Sequence, residues 1–182
     1  MLHMSQKYYI IQSLLRKPNH IRGLAKELHT NQTTIARKMQ ELLESNVVDF
    51  HHEGRNKVFT LKKTFEAKQH ACISEILKAQ EIIEKHPKLR MIFESTRKNS
   101  NVHLAILFGS YAKGSPTKDS DIDIFIESKD KQLAKEIRMI DSRISLKTGR
   151  YDRSSLLIKE IEKNHVIIKG VEEYQEKNSF FA

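Results

Sequence analysis

Apolar residues recur every three or four positions through the first half of this chain, then give way to short unbroken or alternating runs. In residues 5–17, "SQKYYIIQSLLRK", Tyr8, Ile11, Leu14 and Leu15 share one helical face, and Pro18-Asn19 ends it. Residues 20–30, "HIRGLAKELHT", repeat the pattern with Ile21, Leu24, Ala25 and Leu28. Thr30-Asn31 is a polar break able to cap a third helix over 32–46, with Ile35, Met39, Leu42 and Leu43 inward and Gln32, Thr33, Thr34, Arg37 and Lys38 outward. Residues 47–63, "VVDFHHEGRNKVFTLKK", predict two strands joined at Glu53-Gly54-Arg55-Asn56. An amphipathic helix follows over 64–86, capped by Thr64, with Phe65, Ile73, Ile76, Leu77, Ile82 and Ile83 as its apolar stripe. Pro87 permits a new helix near 88–96. After the polar "RKNSN" (97–101), Val102 to Phe108 is the continuous apolar run of a buried strand. "DIDIFIE" (121–127) alternates, 129–141 reads as a helix and 142–149 as a strand. A helix over 155–164 and a strand over 165–169 come last.

Three helices and a hairpin in that order resemble the winged helix-turn-helix domains of prokaryotic transcription regulators. Charge points the same way. Residues 1–63 carry 11 Lys or Arg against 5 Asp or Glu, a net of +6 out of the whole chain's +9, so this part favours an anionic partner. In such a layout the N-terminal end of the third helix meets base edges in the major groove. Thr33, Thr34, Arg37 and Lys38 stand at that end, and Arg55 and Lys57 of the hairpin suit the adjacent phosphates. The implied partner is duplex DNA. A winged helix used for protein contacts, its basic face merely solvated, is the alternative. The helical stretch after it reads either as a packed connector or as the seam of a homodimer, since operator half-sites favour two-fold partners.

Composition mainly excludes. The chain has 182 residues, 38% of them apolar, enough for modest cores. No apolar run approaches the roughly 18 residues of a membrane span, and the N-terminus lacks a signal-peptide core. Cys72 is the one cysteine, so a disulfide framework and a cysteine-built zinc site are excluded. The expectation is a soluble, cytoplasmic protein with no membrane partner. His51-His52 has no acidic or cysteine partner at ligand spacing and reads as surface.

Candidate chemistry concentrates in "FGSYAKGSPTKDSDIDIFI", residues 108–126. Strand residues at i and i+2 share a face, so Asp121 and Asp123 stand side by side with Phe125, while Ile122, Ile124 and Ile126 turn to the core. Neighbouring carboxylates repel unless a cation lies between them. Gly109 lets the backbone approach a phosphate, and the Ser110 hydroxyl with nearby amides can bond its oxygens. Gly109-Ser110, three residues, Gly114, five residues, then Ser120-Asp121-Ile122-Asp123 resemble the signature of the DNA polymerase β-like nucleotidyltransferase superfamily, most of all its minimal nucleotidyltransferases. The tail "NHVIIKGVEEYQE" (164–176) is also similar to the end of such domains. The pairing with a winged helix looks like a group of two-domain prokaryotic, largely archaeal, proteins. The resemblance implies that Gly109, Ser110, Gly114 and Ser120 hold a nucleoside triphosphate, ATP foremost. It also implies that Asp121 and Asp123 are the catalytic carboxylates and bind Mg²⁺, which assists in-line transfer of a nucleoside monophosphate.

The same resemblance implies a third carboxylate on the next strand, and 142–149 contains no acid. Alternation puts Arg143, Ser145 and Lys147 on one face and Ile144, Leu146 and Thr148 on the other. If the polar face lines the site, serine and lysine stand where an acid is expected; Asp141 and Asp152 would each need a shifted register to serve. The expected architecture is α+β: a winged helix-turn-helix domain (1–63), a helical connector (64–99) and a small α/β nucleotidyltransferase-like domain with a mixed sheet (100–182). Two functions fit it. One is a DNA-binding transcriptional regulator whose second domain binds a Mg-nucleoside triphosphate. The other is an active nucleotidyltransferase with a protein, RNA or small-molecule acceptor. The missing acid tilts the balance to the first.

Overall fold

The structure, a computed structural model, describes residues 5–128 and 130–181. The chain divides into two compact units, Met1–Leu77 together with Asn178–Ala182, and Lys78–Lys177. The division falls inside the stretch that the sequence sets apart as a connector.

The first unit opens with α1 (Gln6–Arg16), the two-residue strand β1 (Asn19–His20), α2 (Ile21–Glu27) and α3 (Gln32–Glu44). The hairpin β2 (Val48–Glu53) and β3 (Asn56–Leu61) follows, then the start of α4 (Phe65–Lys85). The three strands form an antiparallel sheet in the order β1-β3-β2, which makes this a winged helix-turn-helix. Both expected caps form. Asn31 Oδ1 accepts from the Thr34 amide at 2.7 Å, and Thr64 Oγ1 accepts from the Ala67 amide at 3.2 Å. β1 is new relative to the sequence reading, because two residues are too short to display a period. Ile10, Ile11, Leu24, Ile35, Met39, Leu42 and Phe59 fill the core, which Ala67 and Ala71 of α4 complete.

The stripe assigned to α4 packs in its second half and requires correction in its first. Phe65 is 74% exposed, Ile76 52% and Ile73 38%, while Ala67, Ala71 and Ser74 are buried; further along α4, Ile82 is buried and Ile83 packs beside it. In its first half small side chains let α4 lie close against the winged core, which turns Phe65, Ile73 and Ile76 outward.

The second unit holds the remainder of α4, then α5 (Leu89–Lys98), β4 (Ala105–Phe108), α6 (Gly109–Lys113), β5 (Ile122–Glu127) and α7 (Lys131–Arg138). β6 (Ile144–Gly149), α8 (Leu156–Lys163), β7 (Val166–Lys169) and α9 (Val171–Lys177) complete it. The sheet runs β6-β5-β4-β7 and is mixed, as expected: β5 and β6 are parallel, the other pairs antiparallel. Both faces are covered. Ala105, Leu107, Ile122, Ile124, Ile126 and Leu146 pack with Ile92, Phe93, Leu133 and Ile137 of α5 and α7. On the other face Ile106, Phe108, Phe125 and Ile167 meet Ile158, Ile161 and Tyr174 of α8 and α9. Central β4 is therefore buried on every residue, which is why its sequence is an unbroken apolar run. Among the described residues, no helix is long and apolar enough to cross a membrane.

Candidate functional site

β4 ends with Phe108 opposite Asp123 on the antiparallel neighbour β5. The chain then turns at Gly109, whose φ of +70° lies in the left-handed region, and enters the five-residue α6. A Cβ on Gly109 would collide with the Asp123 carboxylate, so that carboxylate lies directly against the glycine backbone. Ser110 comes next, half-buried; Asp121 is exposed just before β5 begins. Alternation along β5 is as expected. Phe125 shares the carboxylate face but is covered by α8 and α9, whereas Asp123, nearer the strand's start, is only half-buried.

The other two glycine and serine positions of the motif act more locally. Gly114, at φ +74°, ends α6 in a left-handed cap. Ser120 Oγ accepts from the Thr117 amide at 2.8 Å and lies 3.0 Å from Thr117 Oγ1, closing the loop that returns the chain to β5.

Burial pushes the Asp123 carboxyl above its ordinary range. The neighbouring Ser145 hydroxyl opposes that push, the Asp121 charge adds to it, and Lys147 and Lys113 counter it. Ser145 is at this place because β6 runs parallel to β5 with Asp123 opposite Ser145 and Phe125 opposite Lys147. Serine thus occupies the position beside the carboxylates on the adjoining strand. Both acids flanking β6 are engaged in their own turns. Asp141 accepts from the Arg143 amide at 2.9 Å, Nε at 3.0 Å and Nη2 at 2.7 Å. Asp152 accepts from the Ser154 amide at 2.9 Å and Oγ at 2.8 Å. These bonds hold both carboxyls below their usual range.

Among the described residues, no group of three or more His, Cys, Asp or Glu is placed to hold a metal ion. Asp121 and Asp123, one of them pressed against a glycine turn, fit a single hard cation with oxygen ligands such as Mg²⁺. Lys113 is the site residue that sequence reading missed. It closes α6 and pairs with Glu160 of α8 at 3.0 Å. Nothing in strand alternation points to it, since it lies on a short helix between two motif glycines.

A family model described as Polymerase beta, Nucleotidyltransferase matches residues 78–173, just over half of the chain. The chain belongs to this family. The match starts where the second unit starts, so the polymerase-beta nucleotidyltransferase part takes in the end of α4 and all of α5, both of which the sequence reading placed in the connector. No curated protein matches the chain. Among solved structures, the transcriptional repressor BigR from Xylella fastidiosa is 19% identical over 44% of this chain and 79% of its own, with a TM-score of 0.38. The adhesin competence repressor AdcR from Streptococcus pyogenes is 17% identical over 50% and 68%, with a TM-score of 0.42. Reduced HlyU from Vibrio cholerae is 19% identical over 41% and 74%, with a TM-score of 0.35. The winged-helix assignment rests on the element order of the chain itself.

Outside the nucleotidyltransferase part, the winged unit presents a polar helix face. Thr33, Ala36, Arg37 and Gln40 are exposed at helical spacing along α3. Thr34 is half-buried and gives its amide to the Asn31 cap. Lys38 is half-buried, with Nζ at 2.9 and 2.8 Å from the two carboxylate oxygens of Glu41. Arg55 is exposed at the hairpin turn, and Lys57 Nζ lies 4.2 Å from the centroid of the Phe50 ring. Ala36 and Gln40 join the predicted face by periodicity alone, a signal already present in the sequence.

Proposed function

We propose that the protein is a DNA-binding regulator whose nucleotidyltransferase unit binds a Mg-nucleoside triphosphate, ATP foremost. The supporting observation is the seating of Asp123 directly on the Gly109 backbone, with Ser110 and Asp121 alongside. Phosphate oxygens brought to the Gly109-Ser110 turn would meet two carboxylates, an arrangement that is repulsive without a cation. Mg²⁺ on Asp121 and Asp123 would neutralise phosphate charge when bound. Gly109 and Ser110 orient the phosphates, Gly114 and Ser120 fix the loop that carries the carboxylates, and Lys113 and Lys147 supply positive charge. In the winged unit Thr33, Thr34, Arg37 and Lys38 would face the major groove of duplex DNA, with Arg55 and Lys57 on phosphates. The exposed strip of Phe65, Ile73 and Ile76 is read as the seam of a homodimer, and the setting as cytoplasmic.

The test is titration of the full chain with ATP in the presence of Mg²⁺. Asp121→Asn/Asp123→Asn should lose metal-dependent binding at unchanged thermal stability; equal affinity in that double variant would sink the reading. Family membership favours a second reading, in which a nucleoside monophosphate is transferred to a protein, RNA or small-molecule acceptor. Incubation with labelled ATP, GTP, CTP and UTP separates the two: pyrophosphate release or self-labelling at a rate matching binding would decide for the enzyme.

A further inference from the structure

A third carboxylate beside Asp121 and Asp123 would let such a site hold two divalent cations, but the neighbouring strand carries a different charge pattern. β6 is parallel to β5, and the register sets Ser145 opposite Asp123 with Lys147 two residues further along the same face. Ser145 stands beside the Asp123 carboxylate by this register, while Lys113 of α6 is already paired with Glu160 at 3.0 Å. The nearest acids in sequence, Asp141 and Asp152, are consumed by Arg143 and Ser154. A second divalent cation would have to be held without a third carboxylate and against the Lys147 ammonium. Compared with an acid at the Ser145 position, serine removes one negative charge, and Lys147 adds one positive charge. Together they supply the two charges that a second divalent ion would bring.

We propose that Ser145 and Lys147 stand in for the second metal ion, so the site takes one divalent cation on Asp121 and Asp123 while Lys147 bears on the bound phosphates. This rests on the nucleotide-binding reading above and deepens it. A fixed ammonium neutralises phosphate but does not bind and activate an attacking hydroxyl, as a metal ion does. The Ser145 hydroxyl, not ionised at neutral pH, is no substitute for a general base. The site is therefore built to retain a nucleotide rather than to spend it.

The experiment counts bound Mn²⁺ by electron paramagnetic resonance on the full chain, saturated with a non-hydrolysable ATP analogue. One Mn²⁺ per bound nucleotide is expected in the wild type. Lys147→Met should lower analogue affinity about tenfold, the usual scale for losing a charged contact to phosphate, with the count still at one. Lys147→Arg should restore most of the affinity. Ser145→Asp/Lys147→Ser should raise the count towards two. Lys147 is exposed, and half-buried Ser145 belongs to neither hydrophobic cluster of the unit, so these changes leave the core untouched. A wild-type count other than one, or unchanged affinity in Lys147→Met, overturns this inference alone. No analogue binding by the wild type overturns the nucleotide-binding reading and the inference with it.

Discussion

Gly109 is where backbone conformation and site chemistry meet in one residue. Its positive φ costs a residue with a Cβ about 1–2 kcal/mol, and the Cβ would also displace the Asp123 carboxylate. Gly109→Ala should therefore lose stability by at least that amount in chemical denaturation and weaken Mg-ATP binding as well. A variant that is less stable but binds normally would show that the carboxylate can move aside without consequence. Glu127, at the far end of β5, acts on stability. Burial would raise its carboxyl, but the Tyr151 amide at 2.9 Å and Lys177 at 2.9 Å hold it below the ordinary value of 4.5. A depressed folded-state value stabilises the fold above 4.5, and that contribution fades as pH falls through the lower value. Glu127→Gln should cost on the order of 1 kcal/mol at neutral pH and flatten the acid limb of a stability–pH profile. An acid limb identical to wild type would assign acid sensitivity to other groups.

At the scale of elements, α3 separates two lysine and arginine roles that its sequence presents as equal. Arg37 is exposed on the stripe with Thr33 and Gln40, whereas Lys38 is turned to Glu41. Arg37→Ala should weaken duplex binding several-fold more than Lys38→Ala, read by fluorescence anisotropy at fixed salt. Log affinity should fall with log salt at roughly 0.9 per phosphate contact, and Arg37→Ala should flatten that slope by about one contact if Arg37 meets phosphate rather than a base. Equal losses in the two variants would place Lys38 on the DNA despite its ion pair. Absence of binding at low salt would favour the protein-contact use of the wing.

At the scale of the whole molecule, the outward strip on α4 bears on assembly. Phe65, Ile73 and Ile76 leave apolar side chains in water on one helix, and pairing two copies would bury them at about 25 cal/mol per Å². Sedimentation of the full chain should report a dimer, and Ile76→Glu should shift it to monomer while leaving Mg-ATP binding intact. A wild-type monomer across the micromolar range would remove the seam. The winged unit extends past residue 63, because Ala67 and Ala71 sit in its core and Gln12 Nε2 donates to the Ser74 carbonyl at 3.0 Å. Phe181 from the chain's end packs on that core too, a long-range contact with no local signal.

What was legible in the sequence is what depends on near neighbours. Helical period, the Asn31 and Thr64 caps, the hairpin turn at Gly54-Arg55 and the two faces of β5 all follow from spacings of two to four residues. The turn at Gly109 and the placing of Asp123 on the face of β5 opposite Ile122 and Ile124 were legible for the same reason. Tertiary structure decided what spacing leaves open. Which face of α4 packs on the winged core was settled by size, since Ala67 and Ala71 fit closely where isoleucines do not. Whether Ser145 lies beside Asp123 depended on the register between two strands more than twenty residues apart, and a slip of one residue would have put Leu146 there. Lys113 meets Glu160 of α8, forty-seven residues on, a pairing no periodicity encodes.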